Sequence, residues 1–225
     1  MDRRQFAIAA VAALALASGG AALAATPPPA AWDNLVRVPS KQFKYVYLLP
    51  GADFRAYTKV MLDPTEVAFK KNWQKDYNST TSGLSRRITD ADVEKAVTEG
   101  GKTATETFAR AFVAGGYPVV TEPGPDVLRV RTSVINLSVS APDTMSAGRS
   151  RTFAREAGSA TLVVEAMDSV SGAILGRAVD SRIAGDRSYM MRRNSVTNRS
   201  DFSAVVQDWA KDAVKGLSEL KRLAS

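Results

Sequence analysis

The stretch that decides the fold is residues 160–183, where ATLVVEAM (160–167) and AILGRAVDSRI (173–183) flank the link DSVSG (168–172). Apolar and polar residues alternate in both flanking runs, which is typical of strands with one buried face. A short link that ends in glycine joins such runs as a hairpin turn. The sequence therefore predicts an antiparallel β-hairpin at this point in the chain.

Four more segments have the composition of strands. Residues 44–49 (KYVYLL), 57–62 (YTKVML) and 66–69 (EVAF) are rich in aromatic and β-branched residues, and residues 127–138 (VLRVRTSVINLS) alternate in polarity. Proline, glycine or aspartate follows each of the first two segments and marks a turn. All four are predicted to be strands of the same domain as the hairpin.

A long helix is predicted over residues 90–114, where apolar residues recur at helical spacing. Thr89 has the position of an N-cap, and Asp92 completes a shortened capping box. Gly100 and Gly101 lie in the middle of this helix and cost about 1 kcal/mol each relative to alanine. We therefore expect either a kink or a close packing contact at the two glycines.

A second helix closes the chain, with Ser200 as its cap and an apolar stripe that includes Trp209 and Leu217. Three polar segments are predicted to be loops: 70–87, 141–158 and 184–199. The order of strands, one helix, further strands and a closing helix indicates the α+β class. We expect an antiparallel sheet of about five to six strands with two long helices packed on one face.

The composition excludes several kinds of catalytic site. The 225 residues include no histidine and no cysteine, which removes imidazole bases, thiolate nucleophiles and the metal sites that depend on either side chain. Hydrophobic residues make up 45% and charged residues 24%, as in an ordinary globular domain. We expect a protein that is not an enzyme and has no cofactor.

The N-terminal segment has the three parts of a secretory signal peptide: a charged start, a short apolar run and an A-x-A sequence formed by Ala22 and Ala24. We predict cleavage after Ala24. Arg3, Arg4 and Phe6 resemble the twin-arginine export motif, and the weakly hydrophobic, alanine-rich run favours that route. The alternative is ordinary secretion, with the two arginines serving only as the positive start of the signal.

The chain thus divides into a signal peptide (1–24), a proline-rich spacer (25–31) and a single α+β domain (32–222). The apolar run of the signal is too short to span a bilayer, and we expect no transmembrane span in the mature chain. No cysteine follows the run, so no lipid anchor is expected. The predicted location is the periplasm, with peripheral attachment to the envelope as a further possibility.

Several motifs together resemble a known family. They are WDNL (32–35), YTKVMLDPTEVAF (57–69), PGPDVLRVR (123–131) and DSVSG (168–172). In these motifs the chain is similar to the exported bacterial proteins of domain-of-unknown-function family 3313, many of which are lipoproteins. The resemblance covers nearly the whole mature chain, from about Trp32 to Leu220. It implies an envelope location and brings no catalytic residues with it.

Three carboxylates are candidates for acid–base chemistry. Asp53, Asp63 and Glu66 lie close together in sequence, and a carboxylate pair can serve a hydrolase or lyase. The competing interpretation is structural, because aspartate next to proline or glycine bonds its own backbone in turns. The alternative function of the chain is therefore a cofactor-free periplasmic hydrolase or lyase that uses Asp63 and Glu66.

Arginines are concentrated in the two loops that flank the hairpin. The candidate anion-binding residues are Arg149, Arg151 and Arg155 before it, and Arg187, Arg192 and Arg193 after it. Because the two hairpin strands are antiparallel, both groups are expected at the same end of the sheet. Such a cluster attracts an anionic surface such as lipid head groups; the alternative is that long solvated loops simply carry charge.

These observations favour a non-enzymatic binding or assembly module associated with the envelope. The expected partner is an anionic envelope surface or an envelope protein. Nucleic acid fits the net charge of +7 but not the compartment, so it is not expected. The sequence does not indicate an oligomeric state.

Replacing both Arg3 and Arg4 with lysine tests the export route. Lysine keeps the positive start of a general signal but removes the twin-arginine motif, so export should stop while synthesis continues. Immunoblots of periplasmic and cytoplasmic fractions measure the outcome. Continued export of the double variant would assign the chain to the general secretory route.

Overall fold

The computed structural model describes residues 29–80, 87–140, 152–186 and 190–223. The first half holds β1 (Ala31–Trp32), β2 (Leu35–Val38), β3 (Tyr45–Leu48), β4 (Lys59–Leu62), β5 (Glu66–Phe69), α1 (Trp73–Thr80) and α2 (Asp90–Ala114). The second half holds β6 (Val127–Val139), β7 (Thr152–Ala154), β8 (Gly158–Asp168), β9 (Ile174–Ala184), β10 (Met191–Arg193) and α3 (Ser195–Leu223). The α+β class is confirmed.

The main sheet has eight strands in the order β1-β2-β3-β9-β8-β6-β4, with β5 also paired to β6. The predicted hairpin forms its centre, because β8 pairs with β9 from Gly158 opposite Ala184 to Met167 opposite Ile174. β7 and β10 form a separate two-stranded ribbon. The sheet is therefore larger than the predicted five to six strands.

The sheet is mixed rather than antiparallel. β4 and β5 run parallel to β6 and pair with successive stretches of it, Lys59 opposite Val127 and then Glu66 opposite Ser133. Parallel neighbours need a crossover connection, and α2 supplies it between β5 and β6. The prediction of a purely antiparallel sheet was wrong here because a helix between two strands allows either direction.

α2 has the predicted bounds and the predicted cap. The Thr89 hydroxyl accepts a hydrogen bond from the Asp92 backbone N–H at 3.2 Å, and the Asp92 carboxylate accepts one from the Thr89 N–H at 2.8 Å. A kink or a close packing contact was expected at its central glycines, and the structure shows the close contact. A Cβ added to Gly101 would lie 2.7 Å from the Thr65 carbonyl oxygen, so α2 approaches the β4–β5 connection as closely as its backbone allows.

α1 lies in a segment that the sequence predicts as loop. Its formation depends on tertiary contacts: the Phe69, Trp73 and Tyr77 rings stack, with centroids 4.4 Å and 6.1 Å apart. The Trp73 indole N–H donates to the Val139 carbonyl at 3.2 Å, and the Asn78 amide donates to the Ile88 carbonyl at 2.8 Å. These contacts outweigh the polar composition of the segment.

α3 begins at Ser195, five residues before Ser200, which was the predicted cap. The cap is Asn194, whose side-chain oxygen accepts from the Thr197 N–H at 2.9 Å, while the Thr197 hydroxyl accepts from the Asn194 N–H at 3.0 Å. The predicted loops 141–158 and 184–199 also contain the short strands β7 and β10. β1 begins at Ala31, one residue before the predicted start of the domain.

The core lies between one face of the sheet and the helices α2 and α3, as predicted for two helices on one face. Trp209 of α3, Phe108 of α2 and Leu162 of β8 are fully buried in it. The Trp209 indole N–H donates to the Asp180 carboxylate at 2.9 Å. Arg182 bridges that carboxylate to Asp212 of α3, so a buried polar contact also fixes the position of the helix on β9.

Gly100 and Gly101 provide a matched pair of substitutions. Gly100→Ala adds a Cβ in ordinary contact, 3.8 Å from the Val67 side chain, and should raise the free energy of unfolding by roughly 0.5–1 kcal/mol through helix propensity. In Gly101→Ala the added Cβ would collide with the Thr65 carbonyl oxygen. This variant should therefore have a lower free energy of unfolding, although its change in helix propensity is the same. Urea unfolding of both variants measures the difference, and equal stabilisation by both would disprove the close contact.

Candidate functional site

The two faces of the main sheet differ in chemistry. Alternate residues of β8, such as Leu162 and Val164, point into the core beneath the helices. The residues between them lie on the other face, where no described helix covers the sheet, and Glu165 is one of these. On this second face, charged side chains of neighbouring strands stand opposite one another.

Six of these residues form a line of alternating charge, which we call the charge ladder. Its members are Asp33, Arg177, Glu165, Arg131, Asp63 and Arg129. The sheet register places Glu165 directly opposite both Arg131 and Arg177. Opposite charges on neighbouring strands stabilise the pairing, so the ladder supports the register of β6, β8 and β9.

Arg177 is the most buried member of the charge ladder, with 7% of its side chain exposed. Its Nε and Nη2 donate to Glu165 Oε1 at 2.9 Å and 2.7 Å, and its Nη1 donates to Asp33 Oδ2 at 2.9 Å. The Trp32 ring covers the guanidinium with its centroid 4.0 Å from Cζ. Burial of this charge is tolerable because two carboxylates accept hydrogen bonds from the guanidinium and an aromatic ring covers one of its faces.

The N-terminal strands complete this enclosure. Asp33 and Asn34 both have positive φ, as a two-residue type I′ turn between β1 and β2 requires. The turn places Trp32 edge-on against Tyr47, with ring centroids 5.9 Å apart. The Tyr47 hydroxyl donates to the Pro29 carbonyl at 3.1 Å, so the chain from Pro29 onward lies against the second face.

The candidate carboxylates do not assemble into one site. Asp63 belongs to the charge ladder, where Arg129 Nε lies 2.9 Å from its Oδ1 and Arg131 Nε 3.4 Å from its Oδ2. Glu66 instead lines a groove between β5 and α2. Asp53 is a turn residue whose pKa is lowered to about 2 by hydrogen bonds from Arg55. Within the described residues, no group of three or more carboxylates could hold a metal ion.

The hairpin turn contains a second polar contact with shifted pKa values. Burial and a hydrogen bond to Asp168 raise the pKa of the Tyr57 phenol to about 12. The pKa of Asp168 is lowered, chiefly because its carboxylate accepts from the Ser171 backbone N–H and hydroxyl, both at 2.7 Å. The contact holds the DSVSG turn against the β3–β4 connection, and both groups keep their ordinary charge state at neutral pH.

The candidate arginines are only partly described. Residues outside the described ranges are Arg3, Arg4, Phe6, Ala22, Ala24, Arg149, Arg151 and Arg187. Arg192 and Arg193 lie on β10, where they stand opposite Phe153 and Thr152 of β7, and Arg155 follows β7. The ribbon adjoins the end of the hairpin at which β8 begins and β9 ends. The backbone thus brings the described members of both groups to one place, and their role as an anion site stays a prediction.

An apolar cavity of about 120 Å³ lies between the sheet and the C-terminal half of α3. Its walls include Phe54, Leu128, Val164 and Leu217, and the loop from Val38 to Phe43 borders it. At its mouth the Gln42 amide donates to the Glu219 carboxylate at 2.9 Å.

The charge ladder and the cavity were both missed by the sequence reasoning. Glu165 and Arg177 flank the same hairpin turn, but they lie three and five residues from it, and only the irregularity between Ala166 and Met167 brings them opposite each other. The cavity had a weaker signal in Ala178 of β9, a small residue in a strand with one buried face.

Comparison with known proteins identifies the family. The sequence model of the family described as "Protein of unknown function (DUF3313)" matches residues 30–213. The chain belongs to this family. No curated protein sequence matches it at a significant level. None of the helices in the described ranges of this DUF3313 protein is long and apolar enough to cross a bilayer.

Three solved structures are similar to this DUF3313 chain at low identity. Protein XCC0632 of family DUF330 from Xanthomonas campestris is 12% identical, with a TM-score of 0.44 over 78% of this chain and 91% of its own. A DUF4136 protein (BT2437) from Bacteroides thetaiotaomicron is 10% identical, with a TM-score of 0.36 over 84% of this chain and 98% of its own. A PelC dodecamer from Paraburkholderia phytofirmans is 14% identical, with a TM-score of 0.34 over 74% of this chain and 96% of its own. These similarities are too distant to assign a ligand or a partner.

Glu165→Gln tests the charge ladder of this DUF3313 protein. The substitution removes the carboxylate that Arg177 contacts most closely and leaves Asp33 as its partner, so the free energy of unfolding should fall by about 2 kcal/mol. Glu99→Gln makes the same chemical change in two exposed ion pairs of 4.0 Å and 3.8 Å, where the loss should stay near 0.5 kcal/mol. Denaturant unfolding compares them, and equal losses would show that the ladder adds nothing beyond surface pairing.

Proposed function

We propose that this DUF3313 protein is an exported, non-enzymatic binding or assembly module of the periplasm that associates peripherally with an anionic surface of the envelope. The observation that carries the proposal is the β7–β10 ribbon, which joins basic residues from two distant loops at one end of the central hairpin. The proposed partner is the head-group layer of an anionic membrane; an acidic envelope protein is the other outcome of the test.

The position of the ribbon supports a contact surface. Arg155 is exposed, and Arg192 and Arg193 stand on the paired strand. Two apolar residues next to β10 are also exposed, Met190 at 61% and Val196 at 74%. Basic residues beside exposed apolar side chains suit a membrane interface, where the charges meet head groups and the apolar groups enter the boundary with the acyl chains.

The absence of a role in catalysis is supported by how the carboxylates are used. Asp63 neutralises two arginines of the charge ladder, and Asp53 forms a turn with Arg55. An acid–base pair requires two carboxylates that converge on one pocket with opposed protonation states. Asp63 and Glu66 lie in different surroundings, so we do not favour the hydrolase or lyase alternative.

Export to the periplasm is supported by the charged, apolar and A-x-A parts of residues 1–24 and by the exported proteins that the family resemblance implies. A mature chain that starts after Ala24 would reach the described fold within a few residues, since the Pro29 carbonyl already accepts a hydrogen bond from Tyr47. A spacer this short would keep the domain close to any surface that holds its N-terminus.

Neutralising the ribbon tests the proposal. The double variant Arg192→Gln, Arg193→Gln should lose about 1 kcal/mol of membrane-binding free energy for each charge removed. Its partitioning to vesicles of phosphatidylglycerol and phosphatidylcholine should therefore fall roughly thirty-fold. Co-sedimentation at low and high salt measures the change.

The matched control is Lys211→Gln, Lys215→Gln, which removes two exposed charges from the C-terminal half of α3, far from the ribbon, and should leave binding nearly unchanged. Equal binding by the ribbon variant and the control would contradict the proposed surface. Salt-sensitive retention on native envelopes without binding to protein-free vesicles would replace the lipid with an acidic envelope protein.

A further inference from the structure

Small residues line both sides of the apolar cavity beneath α3. Ala178 of β9 stands on the sheet side, and Ala213 and Gly216 stand on the helix side. Gly176 also borders the cavity, but the Leu48 side chain already fills the space beside it. A Cβ added to Gly216 would reach only ordinary contact, 3.8 Å from the Phe43 ring. Larger side chains at the helical positions would fill the space, so the cavity is a property of these residues and not of the backbone path.

The size and lining of the cavity suit a hydrocarbon. Its volume of about 120 Å³ is a little below that of an engineered apolar cavity, about 150 Å³, that binds benzene, so it has room for the terminal carbons of a chain while the rest of the chain lies along the mouth. Leu48, Phe54, Val130 and Leu217 provide aliphatic and aromatic walls. The cavity opens towards solvent beside the Gln42–Glu219 hydrogen bond, so a chain that enters it can keep one end outside.

The charges around the mouth favour an anionic end group. Lys41 and Lys215 are both exposed, and each is the sequence neighbour of a residue that borders the cavity, Gln42 and Gly216. The one carboxylate that lines the cavity, Glu219, accepts a hydrogen bond from Gln42 and lies 3.9 Å from Arg222. Three exposed cations near the mouth in sequence, Lys41, Lys215 and Arg222, thus outnumber its one carboxylate and favour an anionic end group.

We propose that this cavity binds the hydrocarbon end of a fatty acid, with the carboxylate of the ligand held at the rim by Lys41 and Lys215. The assignment is independent of the ribbon surface, because the two sites share no residue. The protein would then bind a soluble amphiphile in this cavity, separately from any contact that the ribbon makes with a membrane surface.

Decanoate, below its micellar concentration, is the probe for the cavity. It should bind the full chain in isothermal titration calorimetry and raise the unfolding temperature in proportion to the logarithm of its concentration. Gly216→Ala should weaken binding, and Gly216→Leu, which fills the cavity, should weaken it at least ten-fold while the ligand-free protein stays folded. Ala204→Leu places the same leucine side chain on the exposed side of α3 and should leave binding unchanged.

The head-group assignment has its own comparison. Lys215→Glu should weaken decanoate binding several-fold, whereas Lys102→Glu, the same charge change on α2, should not. Decyltrimethylammonium, which has the same chain and the opposite charge, should bind more weakly than decanoate. No decanoate binding, or binding that Gly216→Leu leaves intact, would overturn the proposal, and equal binding of the two amphiphiles would overturn the role of the lysines.

Discussion

The structure depends on one constraint: the two faces of each strand of the central hairpin lie in different surroundings. Alternate residues of β8 enter a helix-covered core, and those between them face a side that no described helix covers. A buried guanidinium on that second face, Arg177, is stable only with Glu165, Asp33 and the Trp32 ring around it. The first strands of the domain are therefore needed to complete the charge balance of its centre.

The fold was predictable where the signal is local. The alternation of apolar and polar residues predicted the hairpin. The Thr89 cap and the helical spacing of apolar residues predicted the bounds of α2. Segments that depend on distant partners were missed. α1 is held by Trp73 against Val139, and β1 and β2 are too short to show a period. The parallel direction of β4 was hidden as well, because it follows from how α2 crosses the sheet.

The candidate sites also separate into those with a local sequence signal and those that depend on residues distant in the chain. The sequence predicted that two arginine groups meet at one end of the hairpin, since that requires only antiparallel pairing; of these arginines, the structure describes Arg155, Arg192 and Arg193, which lie on or beside the paired strands β7 and β10. It also assigned turn roles to the aspartates, which suits Asp53 beside Arg55. It did not predict the charge ladder, which needs the register of three strands, or the cavity, which depends on where small residues of β9 and α3 come together in space.

The strand order also determines when the sheet can form. β3 pairs with β9, and the Lys44 backbone donates to Asp180, which lies 136 residues further along the chain. Contacts of such separation close late and slow the folding rate. During synthesis β1, β2 and β3 can pair with one another, but the other edge of β3 has no partner until β9 is available. An incomplete chain therefore exposes one unpaired strand edge that can join other chains, and the order of strands makes this edge an aggregation hazard before the native state forms.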